Sequence, residues 1–419
     1  MANNQFQDNW LRRRIHQAEE HQALAFEEIN ELVVKERKGK KIVLEDDTHL
    51  IEFVSCSYLG LDMDARVIRA ASNNIEQCGV AFHAARTRII LKSFSVLEEL
   101  LNKIFNNQFT LTFTSLHSVH LGVLPLLGSG ELPSYPLKAN GPLFILDKTA
   151  HASIQVNRAL LTQFGQVVRV DFTQLDAVEK WLKETVNSKR TPILIADSVG
   201  SMGGVTPISW LFEMSEQYEG YVYLDDAHGM SIYGENGCGY VLHALKNVFH
   251  PRLILGTTLG KAFGAIGGII VLPTQKDLDI VKRFATTYVF GGPLPLSIVE
   301  SAIASAHIHL SEEITQRQNK LWDNTHYFDS LIQCQVINKN KQLPLRGLLI
   351  GDEFEAVRYA SLFRKHGFSV TTAMYPTVPK RRSLLRVALS AAHQKEEIQA
   401  FCQMANQLLD EKIFNANCA

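Results

Sequence analysis

Three observations predict an α/β chain with a mainly parallel sheet, followed by a smaller α+β unit. The first is a series of short apolar runs: Leu111–Phe113, Leu143–Leu146, Val167–Val170, Ile193–Ala196, Val222–Leu224, Leu253–Leu255 and Gly268–Leu272. They lack clean alternation, as strands buried on both faces do. The second is that segments with helical spacing, such as Leu175–Val186 and Ile208–Tyr218, separate most of them, which is the βαβ rhythm of a helix-covered sheet. The third is that Asp225, His228, His151 and Ser115 each follow an apolar run, at the strand ends where such sheets place ligand groups.

The elements follow in order. From Leu11 to Glu36 apolar residues recur every three to four positions, which predicts an amphipathic helix that packs on its own domain or on a second subunit. Gly39-Lys40-Lys41 is a turn, and Lys41–Val54 reads as a hairpin around Asp46-Asp47. Residues 1–54 are therefore a helical arm and hairpin. A helix is expected over Ala65–Gln77, and another over Phe94–Asn106 with Leu97, Leu100, Leu101 and Ile104 as its buried stripe. Between them stand Arg86 and Arg88, two guanidinium groups that suit a solvated surface or an anionic ligand. Gly128–Pro142 is rich in breakers and long for a compact domain; it reads as a surface loop or as a flap over a site. Beyond Pro295 come a long helical region, Ser297–Leu331, strands at Leu348–Ile350, Ser369–Thr372 and Leu384–Leu389, and helices near Ala356–His366 and Lys395–Leu409. This places a large domain at 55–295 and a smaller one at 296–419.

Composition narrows the function. With 46% hydrophobic and 20% charged residues, the 419-residue chain suits a soluble protein with substantial cores. A formal charge of -1 gives no electrostatic reason to expect nucleic acid as a partner. The six cysteines lack CxxC spacing, so neither a zinc site nor a disulfide framework is indicated and a reducing cytoplasm is expected. Met1–Trp10 lacks the apolar region of a signal peptide, and no apolar run is long enough to span a bilayer.

The chemistry centres on Tyr221–Gly268. Lys261 stands between Gly260 and Ala262, so a planar group can approach its ammonium closely, and Thr257-Thr258 offers hydroxyls suited to a phosphate. Asp225 at a strand end suits a protonated ring nitrogen, and a Schiff-base lysine with a carbonyl-bearing cofactor is the leading expectation. Asp225, Asp226 and His228 equally suit a metal, or a Ser–His–Asp set with Ser231, although a G-x-S-x-G elbow is missing. His151 falls on the same sheet edge. Ser115, before a helical segment, sits where backbone N–H groups and the helix dipole bind phosphate.

These residues carry a resemblance. Asp225-Asp226-Ala227-His228-Gly229, Thr258-Leu259-Gly260-Lys261-Ala262-Phe263-Gly264, His151-Ala152-Ser153 and Leu385-Arg386-Val387-Ala388 resemble the α-oxoamine synthase family. The likeness covers nearly the whole chain. It implies the aspartate-aminotransferase-type fold, pyridoxal 5′-phosphate (PLP) as cofactor, and condensation of an amino acid with an acyl-CoA or other acyl thioester, usually with decarboxylation. By the same resemblance Lys261 forms the Schiff base, Asp225 pairs with the pyridine nitrogen, and His228 and Ser201 address the ring hydroxyl. His151 stacks on the ring, Thr258 and the turn Ser115-Leu116-His117 hold the phosphate, and Arg386, with Arg88, serves the substrate. A homodimer is implied as well.

The chain departs from the family pattern at the rim. Cys56-Ser57-Tyr58-Leu59-Gly60 stands for Asn-x-Tyr-Leu-Gly, and Ser115-Leu116-His117-Ser118-Val119-His120 for Ser-Gly-aromatic-x-x-Asn. Ile89-Ile90-Leu91-Lys92-Ser93 replaces a Gly-Thr, Phe290-Gly291-Gly292 replaces Phe-Thr-Thr, and Ser201-Met202-Gly203-Gly204 lacks the usual Met-Asp-Gly. Two readings follow: an active PLP-dependent acyltransferase, and a silent member serving as a partner subunit. The apolar Ile89, Ile90 and Leu91 point to a medium or long acyl chain.

Overall fold

The computed structural model describes residues 10–416. The readings made on Met1–Asn9 and on Cys418 lie outside those residues. Two compact units form, one from Leu59 to Asn319 and one that joins the chain up to Tyr58 with the chain from Lys320 onward.

The Leu59–Asn319 unit is built on a seven-stranded sheet. Its strands are β1 (Phe109–Phe113), β2 (Pro142–Asp147), β3 (Gln166–Val170), β4 (Thr191–Asp197), β5 (Tyr221–Asp225), β6 (Leu253–Thr258) and β7 (Gly268–Leu272). All seven contain the apolar runs read from the sequence. The order across the sheet is β1-β7-β6-β5-β4-β2-β3. Only β7 runs against its neighbours. Because it opposes both β1 and β6, those two point the same way, and their carboxyl ends share one edge with those of β2, β4 and β5. Helices cover both faces, which is why the central strands are apolar throughout: Ile193, Leu194, Ile195, Val222, Tyr223 and Leu224 are all buried.

One covering helix, Lys92–Ile104, buries the expected stripe of Leu97, Leu100, Leu101 and Ile104. The expected Ala65–Gln77 helix is instead two, Ala65–Ala70 and Ile75–Cys78. Asn74 breaks it in a left-handed conformation while its amide reaches Glu300 Oε1 at 2.8 Å. Helix Leu296–His309 lies in this unit, where Val299, Ala302 and Ala306 join the core.

The segment after Gly128 is not a flap. Leu132 and Tyr135 are fully buried, and the Tyr135 hydroxyl donates to Leu253 O at 2.5 Å. The Tyr221 hydroxyl donates to Pro136 O (2.8 Å), and Lys138 N–H donates to Thr191 Oγ1 (2.8 Å). Leu253, Tyr221 and Thr191 all begin strands, so this segment closes the amino end of the sheet, opposite the edge that carries the chemistry.

The second unit holds two four-stranded sheets and the helices Trp10–Glu28, Glu353–Lys365 and Lys395–Ala416. The first helix is shorter than its periodicity suggests. Ile29 and Asn30 N–H both close on Ala25 O, and Val34–Lys38 then pairs antiparallel with Lys41–Leu44; strand pairing beside the β-branched Val33-Val34 overrides helical spacing. The helix packs on its own unit: Ala18 and Ala25 are buried, and His21 Nε2 lies 2.8 Å from Tyr375 O. The expected hairpin joins Lys41–Leu44 to His49–Glu52. Inside it Lys40, almost wholly buried, donates to Glu52 Oε1 (2.8 Å) and Ser55 Oγ (2.8 Å).

Candidate active site

Five strand ends deliver the site. β5 ends in Asp225 and the turn that carries His228; β6 ends in Thr258, three residues before Lys261. β2 leads to His151, β4 to Ser201, and β1 to Ser115 at the start of helix Leu116–Ser129. Phe113 and Thr258 both pair with Gly268, so the turn at Ser115 and the lysine turn flank one glycine. That glycine is required: a Cβ on Gly268 would lie 2.4 Å from Ser115 O and 2.6 Å from Leu116 N.

Lys261 has a left-handed backbone, φ 53°, which costs a residue with a β-carbon about 1–2 kcal/mol. Bonds on either side hold it there: Leu259 N–H to Gly267 O (2.9 Å), Ala265 N–H to Leu259 O (2.8 Å) and Phe263 N–H to Gly260 O (3.1 Å). The Thr258 hydroxyl is part of the same turn, donating to Gly267 O and accepting from Gly260 N–H, each at 2.9 Å.

The two aspartates at the end of β5 behave oppositely. Burial would raise Asp225, but the hydrogen bond from His120, the charge of Lys261 and the Ala227 N–H bring it below the ordinary carboxylate value. His120 Nε2 is 3.1 Å from Oδ2, and Ala227 N–H donates to Oδ1 at 2.9 Å. Asp226 is pushed up to about 7, chiefly by burial. It accepts from the Ser198 hydroxyl and from Val241 N–H, and it fits between Gly229 and Gly239, where a Cβ would lie 2.0 and 2.2 Å from its oxygens. Asp226 is thus a structural carboxyl. With the two side chains committed to different partners, the metal reading loses its ligand pair. The Ser–His–Asp reading fails too, because the buried Ser231 hydroxyl pairs with His309 Nε2 at 2.8 Å.

His151 caps the short helix Ala152–Gln155, its Nδ1 2.7 Å from Ser153 Oγ. Burial lowers its pKa; the charges acting on it include those of Asp225 and Lys261, which share this edge. A neutral imidazole results. Asp197, at the end of β4, accepts the His151 backbone N–H at 3.0 Å and is itself raised by burial and by the charge of Asp225. Ser201 lies in the tight turn between Val199 and Val205. His228 is buried in the turn after β5.

At the start of helix Leu116–Ser129, Ser115 Oγ accepts from Ser118 N–H at 3.1 Å, and the Thr114 and Ser115 hydroxyls both lie about Ser118 Oγ. The first-turn N–H groups of Leu116 and His117 have no intrahelical acceptor, and the helix dipole favours an anion there.

The two arginines of the 83–88 stretch separate. Arg86 is buried, bonded to Glu98 Oε1 at 2.7 Å and placed over the rings of Phe94 (4.6 Å) and Tyr288 (4.5 Å); it is a structural ion pair and no ligand site. Arg88 is exposed. In the second unit, Arg386 Nη2 lies 2.8 Å from Cys56 Sγ, while its buried Nε has no hydrogen-bond partner among the described residues.

The donor set fits PLP: an ionised carboxylate for a ring nitrogen, a lysine within its field, a neutral imidazole for the ring face and a helix N-terminus for the phosphate. Sequence comparison agrees. The family described as aminotransferase class I and II matches residues 135–404. The 8-amino-7-oxononanoate synthase of Petrotoga mobilis is 30% identical over 365 residues, covering 86% of each chain. The chain belongs to the α-oxoamine synthases of that family. A further 8-amino-7-oxononanoate synthase, from Thermoanaerobacter pseudethanolicus, is 28% identical over 374 residues, 88% of this chain and 89% of its own. Among solved structures, serine palmitoyltransferase from S. paucimobilis, with a bound PLP–myriocin aldimine, superposes with a TM-score of 0.82 at 20% identity. That match covers 96% of this chain and 100% of the other, and shows that this α-oxoamine synthase has the aspartate-aminotransferase-type fold. Its cofactor is PLP. Among the described residues, no helix is long and apolar enough to cross a membrane.

Two site residues escaped sequence reasoning. His120 was legible only as a substituted position in the phosphate turn, and Asp197 only as the end of an apolar run. Tyr223 and Asp225, two apart on β5 and on one face, are the signal that a polar partner must cover that face.

Proposed function

We propose that this α-oxoamine synthase condenses an amino acid with an acyl-CoA or related acyl thioester to give an α-amino ketone, with loss of the amino acid's carboxyl group as CO2. The observation that carries this is the meeting of Lys261, an ionised Asp225 and a neutral His151 on one sheet edge. PLP, when bound through Lys261, supplies an electron sink for negative charge at the substrate Cα.

The residues around it have separate tasks. Asp225 holds the proton on the ring nitrogen, and the low carboxylate pKa keeps it ionised for that purpose. Lys261 Nζ would hold the cofactor and would be the base that takes the substrate's Cα proton. His151 covers the ring face and excludes water, while Ser201 and His228 address the ring hydroxyl. The N–H groups at Ser115-Leu116-His117 take the phosphate; for Thr258 to join them, its hydroxyl must leave Gly267 O. Arg386 receives the substrate carboxylate, with Arg88 assigned to the substrate as well. Ile89 and Ile90, both exposed, support a medium or long acyl chain. The working form is a homodimer in the cytoplasm, in keeping with the family resemblance and with the exposed apolar side chains of Phe82, Ile89 and Phe290.

The test is purified protein supplied with PLP and screened against amino acids and acyl thioesters, with coenzyme A release as readout. A yellow protein whose colour borohydride fixes on Lys261, and which releases coenzyme A, is expected. Protein that stays colourless with PLP overturns the reading. Yellow protein that releases none across the screen supports the silent partner subunit instead.

A further inference from the structure

His120 sits in the second turn of helix Leu116–Ser129 and is completely buried. Its ring spans two side chains of one strand face: Nδ1 is 2.8 Å from Tyr223 Oη and Nε2 is 3.1 Å from Asp225 Oδ2. Gly256 on β6, paired with Asp225, leaves the room for this. A Cβ there would lie 3.2 Å from Tyr223 Oη and 3.6 Å from His120 Cε1.

The arrangement selects one tautomer. Tyr223 is fully buried, and burial pushes its phenol well above the ordinary value, so it keeps its proton. That proton has His120 Nδ1 as its acceptor. The imidazole proton is then on Nε2, pointing at Asp225 Oδ2. A neutral ring accepts one bond and donates one, leaving neither nitrogen unsatisfied. Asp225 in turn is held at both oxygens, by Nε2–H at Oδ2 and by Ala227 N–H at Oδ1.

We propose that His120 is a positioning residue, its Nε2–H tautomer set by Tyr223, which fixes the Asp225 carboxylate and aims its remaining lone pairs at the ring nitrogen of the cofactor. The inference rests on the PLP-dependent reading above. It assigns a role to a side chain where the family pattern has Asn, and to Tyr223, which lies two hydrogen bonds from Asp225.

Two measurements decide it. In the apoprotein labelled with ¹⁵N-histidine, His120 is expected as the neutral Nε2–H tautomer; an Nδ1–H or doubly protonated ring overturns the proposal without reference to PLP. In PLP titrations of the full chain, His120→Phe, which fills the space but donates nothing, is expected to bind PLP about ten- to hundred-fold more weakly. His120→Gln offers an amide oxygen to Tyr223 and an amide N–H to Asp225, and is expected to stay within about three-fold of wild type. Tyr223→Phe should fall between them. If wild type binds PLP and His120→Phe binds it as tightly, the proposal fails; if wild type takes up no PLP, the functional reading fails instead. Should His120→Phe not fold, the tautomer and the His120→Gln titration still decide.

Discussion

Asp225 and Asp226 are neighbours in sequence with opposite charge behaviour: His120 and Lys261 hold the first below the ordinary carboxylate value, while burial lifts the second to about 7. One faces the cofactor edge and the other is enclosed by Ser198, Val241, Gly229 and Gly239. Their Asn variants should therefore fail differently. Asp225→Asn should lose coenzyme A release by at least about 100-fold, since the ring nitrogen loses its anionic partner, and about 1–3 kcal/mol of stability as well, since one of the two donors on Asp225 then meets an amide N–H₂. Asp226→Asn turns an amide N–H₂ toward a donor and should cost about 1–3 kcal/mol of stability, with the PLP absorbance retained. Denaturant titration and visible spectra of both proteins check this; a reversed pattern would exchange the two roles.

Gly268 offers a second test. The Cβ of Gly268→Ala would press on Ser115 O and Leu116 N, so the turn that receives the phosphate has to move. PLP affinity should fall by about ten-fold or more, equivalent to about 1.4 kcal/mol, measured by titrating apoprotein with PLP. Wild-type affinity in this variant would show that the turn at Ser115 is not where the phosphate sits.

Much of this edge was legible because strand ends announce themselves. The runs ending at Asp225 and Thr258, and those leading to His151 and Ser115, are short, apolar and bounded, and the residues after them are the ones the sheet presents. The partners that tune those residues are not local. His120 lies in an apolar helix 105 residues before Asp225, and nothing in its own neighbourhood marks it as more than a buried polar side chain. Arg86 and Arg88 look alike in sequence because what separates them, Glu98 on the next helix and Tyr288 far downstream, appears only when the chain is folded. The segment after Gly128 misleads in a similar way: its breakers are real, but Leu132 and Tyr135 bury it at the amino end of the sheet.

The arginine pair gives a third prediction. Removing Arg86 leaves Glu98 as an uncompensated buried carboxylate beside Thr112, so Arg86→Ala should cost about 3–5 kcal/mol. Arg88→Ala, at an exposed position, should stay within about 0.5 kcal/mol and act only on the Michaelis constant for substrate. Thermal unfolding together with steady-state kinetics separates the two. Equal destabilisation by both variants would contradict the division drawn here.

His309 supplies a pH prediction. Burial, and the nearby charge of Arg317, hold its pKa down at about 4, with Nδ1 on Ser305 O at 2.8 Å and the ring stacked on Phe263. The folded state therefore wants it neutral. Its contribution is fully present above the unfolded value near 6.5 and is lost as pH falls through the window from about 6.5 to about 4, at up to about 1.4 kcal/mol per unit. The total stability of the protein hides this, because Asp197 and Asp226 are raised and favour folding as pH falls over the same range. The difference between His309→Gln and wild type does not. The variant should be less stable by about 1–3 kcal/mol at pH 7.5, and the gap should narrow by about 2 kcal/mol at pH 5, as wild type alone loses the His309 term. Urea denaturation of both proteins at the two pH values measures it, and a gap that stays constant would show that His309 does not have to be neutral for the chain to fold.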